Sequence, residues 1–506
     1  MVYLLYHGYV DIAYWEYALG SVYLFILYVY FARQKNIAIK KAPEYRHFLW
    51  GLLAKVFGGV AFSLIYFYYY RGGDTVMFFY SAVSMSKMAA MDLPNYFTIM
   101  FGDNSAENLT LFNEEIGYPF GYLYFDPRTW FVIRLISPIV ILTFNSYLIT
   151  TIILASLSYI GVWRCYRTFV SYFPSLTDKF AWGFLYMPSV IFWGSGILKD
   201  TFTFSATCWW VHCVDEVFFK RRNITANTFG LLLSAVFLIV VKPYIFMVLF
   251  PACMLWTLYS RVSRIQSGLI RIVLLPVALA VFVFGSFYVL TKLGSSLDKF
   301  SLDKAIQTVQ ITQSDMSRSE AYGDNYFDVG AIDGTLLGLL SKFPVATNAA
   351  MFRPYIWEAR SVVVAMSGLE NLFLLGLTVF ILWRTRFYYF LRFLIGNPLV
   401  LMCIAFTVFF AFAIGISTPN FGALVRFKIP MVPFMVSGLF IIDFLNRKRI
   451  AAEFRGRPFD LSIYQRGEQG AADHEAAKQE RKEKWLRSRA ARGGAFGLDR
   501  GSVASG

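Results

Sequence analysis

The sequence predicts an all-α polytopic membrane protein. Hydrophobic residues make up 57% of the 506 residues and charged residues only 16%, and the mean hydropathy is +0.52. Apolar runs of roughly 17 to 25 residues, the length that crosses a bilayer as a helix, recur along the chain. Aromatic residues reach 19% and cluster near the ends of these runs, which is typical of side chains at the headgroup level. These observations exclude an ordinary soluble globule.

Lysine and arginine orient the predicted spans. We predict about eleven transmembrane helices, the first over residues 13–32 and the second over residues 49–70. The loop between them is basic, so the positive-inside rule makes it cytoplasmic and places the N-terminus outside. No basic segment precedes the first span and no small-residue cleavage site follows it, so we expect an uncleaved helix.

The later spans follow the same rule, because every short loop that the alternation assigns to the cytoplasm is basic. The remaining spans are residues 142–163, residues 180–194, the run through Cys208 to Lys220, two short segments within 227–259, residues 270–291, and three runs ending at Arg384, Ser417 and Asn446.

Two long segments lie on the predicted outer, periplasmic side: residues 71–140 and 292–366. The first contains an amphipathic piece from Phe78 to Met91. It also contains the run from Trp130 to Leu142, whose internal arginine and proline favour a helix lying in the membrane interface.

Residues 1–446 therefore form the predicted transmembrane domain, and residues 447–506 form a basic, partly disordered cytoplasmic tail. The formal net charge is +15, and a basic tail beside a bilayer most simply contacts anionic headgroups. We therefore expect the lipid bilayer, and not nucleic acid, as the partner of this charge.

Cysteine and histidine give no support for a metal centre. The five cysteines lie in or beside apolar spans without a CxxC pair, which is typical of small core residues. The four histidines are scattered along the chain, so we predict no zinc site.

Candidate functional residues gather at the predicted outer ends of the spans. A carboxylate where a membrane helix leaves the bilayer is costly, and Asp74, three residues after Arg71, is such a group. Pro243 cannot continue a helical hydrogen-bond ladder, so Lys242 is exposed at a hairpin tip or a kink. The other candidates are Lys199 with Asp200, Arg353 with Trp357 and Glu358, and Arg426 with Lys428.

These residue types suit one kind of chemistry. Carboxylates with several fixed cations at a membrane boundary can activate a hydroxyl while a phosphate-bearing leaving group is neutralised. The lipid phosphate expected at such a boundary is a polyprenyl carrier.

Two motifs carry a resemblance to a known family. The outer loop with RGGDT, and the stretch from Arg426 to Pro433 that fits R-F/Y-x-x-P-x-x-P, resemble the GT-C superfamily of integral membrane glycosyltransferases. The segments MPSVIFWGSGILKD and FRPYIWEARSVVVAMSGLEN look like motifs of bacterial polysaccharide-assembly proteins. The resemblance covers roughly residues 45 to 445.

The resemblance implies a GT-C-like fold in a bacterial inner membrane, with a polyprenyl-phosphate-linked sugar donor and a glycan or lipid-linked acceptor. It assigns the catalytic base to Asp74 and a supporting role to Asp200. Arg426, Lys242, Lys199 and Arg353 would neutralise the phosphate. The chain has one Asp where the commonest pattern has a pair of acidic residues, so a divalent metal is compatible with the sequence but not required by it.

Each candidate also has a structural interpretation. Gly72 and Gly73 can be a helix C-cap with Asp74 paired to Arg71. Lys199 and Asp200 can be a local ion pair in a turn between helices, and Asp200 can also be a helix N-cap. Lys242 can snorkel from a hairpin tip. The remaining structural alternatives are interfacial anchoring for Arg353, Arg426 and Trp357, and a turn-stabilising pair for Asp126 and Arg128.

Two other functions fit the same sequence. An O-antigen-type polysaccharide polymerase or ligase would depend on outer arginines more than on a carboxylate base. A lipid-glycan flippase or a structural subunit of an envelope complex belongs to a different class. Transporters usually carry internal repeats and ionisable residues near the midplane of several helices, whereas this sequence has no evident repeat and places most charges at span ends.

Overall fold

A computed structural model describes residues 12–262 and 336–468, positions 311, 326, 327, 329 and 330, and several positions between 470 and 483. Regular structure in this part of the chain is helical, apart from an isolated bridge between Tyr326 and Asn420. The main helices are α1 (Tyr14–Ala38), α2 (Phe48–Leu64), α3 (Asp74–Met91), α4 (Leu93–Phe101), α5 (Pro127–Leu142), α6 (Tyr147–Tyr172), α7 (Lys199–Val214), α8 (Ile224–Val241), α9 (Pro243–Val262), α10 (Phe343–Phe352), α11 (Val362–Thr385), α12 (Phe387–Gly396), α13 (Pro398–Ser417), α14 (Phe421–Phe427) and α15 (Val432–Phe454).

Shorter pieces connect these helices. They are Pro43–His47, Ile65–Tyr69, Ala106–Leu109, Gly121–Tyr124, Pro174–Leu176, Thr177–Ala181, Trp182–Tyr186, Pro188–Trp193, Asp215–Lys220, Leu336–Ser341, Ile356–Glu358 and Leu461–Tyr464.

The protein is a multi-pass helical membrane protein. Seven of its described helical segments are long and apolar enough to cross a membrane, and α14 with α15, bent by 62°, makes an eighth if the pair is one broken span. The predicted class is therefore confirmed, whereas the predicted count of about eleven spans is not. The predicted span over residues 270–291 and most of the outer segment 292–366 lie outside the described residues.

The largest departure from the predicted spans is between residues 177 and 220. Residues 180–194 form short helices, interrupted before Pro188, and the chain turns at the Gly194-Ser195-Gly196 sequence. Proline removes a helical hydrogen bond and glycine relaxes the backbone, so an apolar composition here does not give one straight helix. The following helix, α7, has 16 residues, and its first two are charged while three others are threonines, which lowers its hydropathy.

Helix ends coincide with capping residues and prolines. Asp126 caps α5, which has Pro127 at its first position, and Asn397 caps α13, which begins with Pro398. Ser146 caps α6 through its hydroxyl. Each side-chain oxygen accepts from a backbone N–H that the helix leaves unpaired, which stabilises the start by about 1 kcal/mol.

Buried apolar residues form two cores. The larger core joins α2, α6, α7, α9, α13 and α15, and the smaller one joins α3, α4 and α5 to the start of α6. Helix α5, predicted to lie in the interface, buries Trp130, Ile133 and Ile136 completely in this smaller core. The predicted amphipathic piece from Phe78 to Met91 lies within α3.

Glycines allow α2 to approach the turn after Pro188 closely. A Cβ at Gly58 would lie 2.4 Å from the carbonyl oxygen of Ile191, and one at Gly59 would lie 2.8 Å from that of Ser195. Small residues let helices in a membrane pack backbone against backbone. This contact fixes the turn that leads directly into Lys199 and Asp200.

Candidate functional site

Four of the predicted site residues meet in one ion-pair network. Asp200 accepts hydrogen bonds from Lys242 Nζ and from Arg426 Nε, each at 2.5 Å. Arg426 Nη1 also donates to Asp74 Oδ2 at 2.7 Å. We call these four residues the Arg426 network.

The two carboxylates of the network differ in exposure. The Asp200 side chain is 2% exposed and the Asp74 side chain is 47% exposed. The network therefore runs from the protein interior to an accessible carboxylate. A buried carboxylate is stable only with charged partners and hydrogen bonds, and Asp200 has two cations.

Helix ends bring the network together from distant parts of the sequence. Asp74 and Asp200 lie in the first turns of α3 and α7, where the positive end of the helix dipole stabilises a carboxylate. Lys242 is the residue between α8 and α9, and Arg426 lies near the end of α14. The break before Pro243 was predicted to expose Lys242. This prediction is wrong, because Lys242 is 7% exposed and donates to the buried Asp200.

Aromatic rings surround the network. Lys242 Nζ lies 4.1 Å from the centre of the Phe427 ring, a cation–π contact that favours the charged amine. Gly73 has φ +105°, and a Cβ there would lie 2.9 Å from the Tyr66 ring. Glycine at this position therefore provides both the backbone conformation and the space that start α3 at Asp74.

Lys199 pairs with Asp126 and not with its neighbour Asp200. Its Nζ lies 3.1 Å from Asp126 Oδ2, and Asp126 also accepts from the backbone N–H of Arg128 and from the Thr129 hydroxyl. Burial favours the neutral carboxyl, but the Thr129 hydroxyl and the Lys199 ammonium hold the pKa of Asp126 below its ordinary value. Lys199 thus ties the start of α7 to the start of α5.

Arg71 lies outside the Arg426 network. It is exposed, its φ is +50°, and within the described residues Asp74 pairs with Arg426 instead. The structural interpretation in which Asp74 pairs with Arg71 is therefore wrong.

Three of the remaining candidates, Arg353, Glu358 and Lys428, form a second group together with Asn371, which we call the Arg353 group. Arg353 donates to Glu358 through Nε at 3.0 and 3.1 Å and through Nη2. Lys428, 1% exposed, donates to Asn371 Oδ1 and, at 3.4 Å, to the Arg353 carbonyl oxygen. These contacts join the segment before α11 to α11 and to the end of α14.

Trp357 remains at the surface beside the Arg353 group. Its side chain is 75% exposed, and its ring stacks on Tyr355 with centroids 4.9 Å apart. An exposed indole on a tyrosine is compatible both with anchoring at a membrane interface and with stacking on a sugar.

Several buried charged residues were not among the predicted candidates, and two of them, Lys55 and Glu370, lie within apolar helices. Lys55, in the apolar helix α2, is 4% exposed and donates to the Gly194 carbonyl oxygen. Glu370, in α11, accepts from the backbone N–H of Ser189 at 2.7 Å and from its hydroxyl at 2.5 Å. A single charge inside an apolar run was the available sequence signal for both, because such residues are rare in membrane helices.

The carboxylates of the Arg426 network are arranged around cations of the protein itself. Asp74 and Asp200 bind opposite sides of one guanidinium, and Lys242 occupies the remaining oxygen of Asp200. Within the described residues no group of three or more His, Cys, Asp or Glu side chains could hold a metal ion. A divalent cation does not fit this donor set as it stands, because the guanidinium takes the place between the carboxylates.

Comparisons with known proteins give no family for this chain. No protein-family model matches it, and neither a curated protein nor a solved structure is significantly similar to it.

Proposed function

We propose that the protein is a membrane glycosyltransferase of the GT-C type that transfers a sugar from a polyprenyl-phosphate-linked donor to an acceptor hydroxyl. The observation that carries this proposal is the Arg426 guanidinium held between a buried carboxylate, Asp200, and a half-exposed one, Asp74. Such an arrangement supplies an accessible base next to fixed positive charge.

In the proposed reaction Asp74 accepts the proton of the acceptor hydroxyl. The hydroxyl oxygen forms a bond to the anomeric carbon of the sugar as the bond from that carbon to the phosphate oxygen breaks. The products are the glycosylated acceptor and polyprenyl phosphate. Asp74 suits this role because its side chain is accessible, whereas that of Asp200 is not.

Arg426 and Lys242 stabilise the charge that develops on the departing phosphate. Arg426 uses Nε and Nη1 for the two aspartates, and Nη2 makes no hydrogen bond to the described residues. Asp200 acts as a positioning residue, because it fixes both cations before the substrate binds. Lys199 does not bind the phosphate directly in this proposal, because it is paired with Asp126.

The side of the membrane is part of the proposal. The basic loops favour a bacterial inner-membrane protein with a periplasmic N-terminus and a cytoplasmic C-terminus, which puts the Arg426 network at the periplasmic face. A transferase there would build a cell-envelope polysaccharide or glycan on a glycan or lipid-linked acceptor.

A lipid-glycan flippase is a second candidate, favoured by two observations. Lys55 is buried within a membrane helix, and α14 and α15 form a bent pair. Buried ionisable groups and broken helices are typical of transporters. A flippase moves the lipid-linked glycan without releasing polyprenyl phosphate, so product release separates the two candidates.

The test is release of polyprenyl phosphate from purified protein in lipid nanodiscs, with a panel of polyprenyl-phosphate-linked sugars and a glycan acceptor. This product is the same whichever sugar is transferred. Asp74→Asn is expected to lower the rate by about 10²- to 10⁴-fold, the usual contribution of a general base. Its thermal unfolding should stay close to that of the wild-type protein because the carboxylate is half exposed.

Glu107→Gln is the matched control, since Glu107 is an exposed carboxylate in the same long segment. Full transfer by Asp74→Asn would refute the proposed base. Loss of transfer in Arg426→Ala alone, with Asp74→Asn active, would indicate the polymerase or ligase chemistry instead.

A further inference from the structure

A groove separate from the Arg426 network lies between α5, α6, α7 and α8. Its volume is about 490 Å³, within the range of pockets that hold a small organic ligand. Most of its wall is aliphatic or aromatic, with Leu154, Phe202, Leu233 and Phe237 among the lining residues. None of the four residues of the Arg426 network lines it.

The groove has the length of one lipid leaflet. Along α8 its wall runs from Ala226 to Phe237, which is about 16 Å at 1.5 Å per residue. The hydrocarbon core of a bilayer is about 30 Å thick, so the groove covers about half of it. Phe202 and Phe237 stack at one end with ring centroids 5.8 Å apart.

The opposite end of the groove is cationic. Arg164 lines it, and its guanidinium lies 4.6 Å from the centre of the Trp209 ring. Within the described chain Arg164 makes no ion pair. Arg221 and Arg222 are exposed. They lie close to this end of the groove, since the lining residue Asn227 donates a hydrogen bond to the Arg222 carbonyl oxygen. Lys220 differs from these arginines, since Asp215 and Glu216 already neutralise it.

We propose that the groove binds an anionic glycerophospholipid, with one acyl chain along α8 and the phosphate at Arg164. The apolar wall matches the chain, and a guanidinium binds phosphate oxygens through paired N–H groups. The anion also supplies the counter-charge for a cluster of arginines at the headgroup level. A zwitterionic lipid would occupy the same apolar groove without neutralising the positive charge of the arginines.

This inference does not depend on the proposed reaction. The inner end of the groove is formed by Phe202 of α7, two residues after Asp200, and by Phe237 of α8, five residues before Lys242. A bound chain would therefore pack between the two helices that carry these residues.

The proposal is tested by native mass spectrometry of the full-length protein released from nanodiscs. The discs contain phosphatidylcholine with roughly one-tenth phosphatidylglycerol, or phosphatidylcholine alone. The wild-type protein should retain one phosphatidylglycerol in preference to phosphatidylcholine. Arg164→Gln is expected to reduce that retention about fivefold, the effect of one basic residue at a membrane surface, and Arg164→Lys should restore most of it.

Two further variants distinguish binding of the lipid headgroup from binding of the acyl chain. Arg392→Gln removes an exposed arginine on α12 and should leave phosphatidylglycerol retention unchanged. Ala206→Phe places a ring inside the groove and should reduce retention of both lipids. An unchanged preference in Arg164→Gln, an equal loss in Arg392→Gln, preferential retention of an added polyprenyl phosphate, or a dimer that Ala206→Phe abolishes would each overturn the proposal.

Discussion

The Arg426 network and the Arg353 group contain the same types of side chain in different arrangements. The Arg426 network joins helix ends that are far apart in sequence, and one of its carboxylates is accessible. In the Arg353 group, Arg353 and Glu358 are five residues apart, and Lys428 is buried among amide and carbonyl groups. The first arrangement leaves a charged group open to a ligand, whereas the second uses its charges to hold a loop against a helix.

In the proposed function the Arg426 network is the site and the Arg353 group is a structural support, and residue type alone does not distinguish the two. Both contain arginine, lysine and a carboxylate at the predicted outer ends of spans. The two regions differ because only the Arg426 network has a guanidinium that binds both an accessible carboxylate, Asp74, and a buried carboxylate, Asp200. Substitutions in the two regions should therefore have different consequences for stability and for transfer.

The largest expected effect on stability is in the Arg426 network. Asp200→Ala leaves Lys242 and Arg426 without their buried counter-charge, and breaking a buried ion pair in this way costs about 3 to 5 kcal/mol. Thermal or denaturant-induced unfolding in detergent measures the loss. Asp200→Asn, which keeps the size of the side chain, provides a second measurement if Asp200→Ala does not accumulate.

Asp178→Ala is the matched control for Asp200→Ala. Asp178 also binds two basic side chains, Arg46 and His47, but its side chain is 67% exposed. Exposed ion pairs contribute about 0 to 1 kcal/mol, so this variant should unfold close to the wild-type protein. Equal losses in the two variants would contradict the buried role assigned to Asp200.

The sequence was sufficient to identify the residues of the Arg426 network but not their pairing. A proline break, a glycine pair before an aspartate and charges at span ends indicated Asp74, Asp200 and Lys242 individually. The pairing depends on the packing of α3, α7, α9 and α14, which sequence spacing does not specify. For this reason Lys199 and Asp200, adjacent in the chain, bind different partners.

The positions of the membrane spans were also only partly predictable from the sequence. Long uniform apolar runs were predicted as helices that overlap the observed ones. The prediction was 13–32 for α1, observed at Tyr14–Ala38, and 142–163 for α6, observed at Tyr147–Tyr172. Residues 180–194 are also apolar, but the helix breaks at Met187, before Pro188, and the second piece ends at Gly194. Local backbone chemistry overrides hydropathy where proline and glycine interrupt an apolar run.

A smaller effect is expected from Lys428→Met in the Arg353 group. The methionine fills similar space but leaves Asn371 Oδ1 without its donor, and an unsatisfied buried acceptor costs about 1 to 3 kcal/mol. Transfer by the folded protein should remain within about twofold of wild type, because the hydrogen bonds of Lys428 go to Asn371 and to the Arg353 carbonyl oxygen. The polyprenyl phosphate release assay and an unfolding curve measure the two quantities.

Lys242→Met provides the comparison for Lys428→Met, since both replace a buried lysine. Lys242→Met removes one of the two cations on Asp200 and should abolish most transfer. If Lys428→Met lost transfer to the same extent at equal stability, the Arg353 group would belong to the site and the distinction between the two regions would be wrong.

The smallest effect concerns the Arg353–Glu358 ion pair and its dependence on pH. Burial favours the neutral carboxyl, but hydrogen bonds from Arg353 and from the backbone N–H of Tyr355 hold the pKa of Glu358 below its ordinary value of about 4.5. A carboxyl whose pKa is lower in the folded state stabilises the fold above its unfolded pKa and loses this contribution as the pH falls. Because both side chains are partly exposed, we expect a contribution of about 1 kcal/mol or less.

The measurement compares the unfolding of wild type and Glu358→Gln from about pH 6 down to about pH 3. At the upper end the wild-type protein should be the more stable, and the difference should shrink below about pH 4.5 as the carboxylate is protonated. Other carboxylates titrate in both proteins and cancel in the difference. A constant difference across this range would mean that Glu358 acts through its hydrogen bonds and not through its charge, and the Arg353 group would then stabilise the loop by packing and neutral hydrogen bonding.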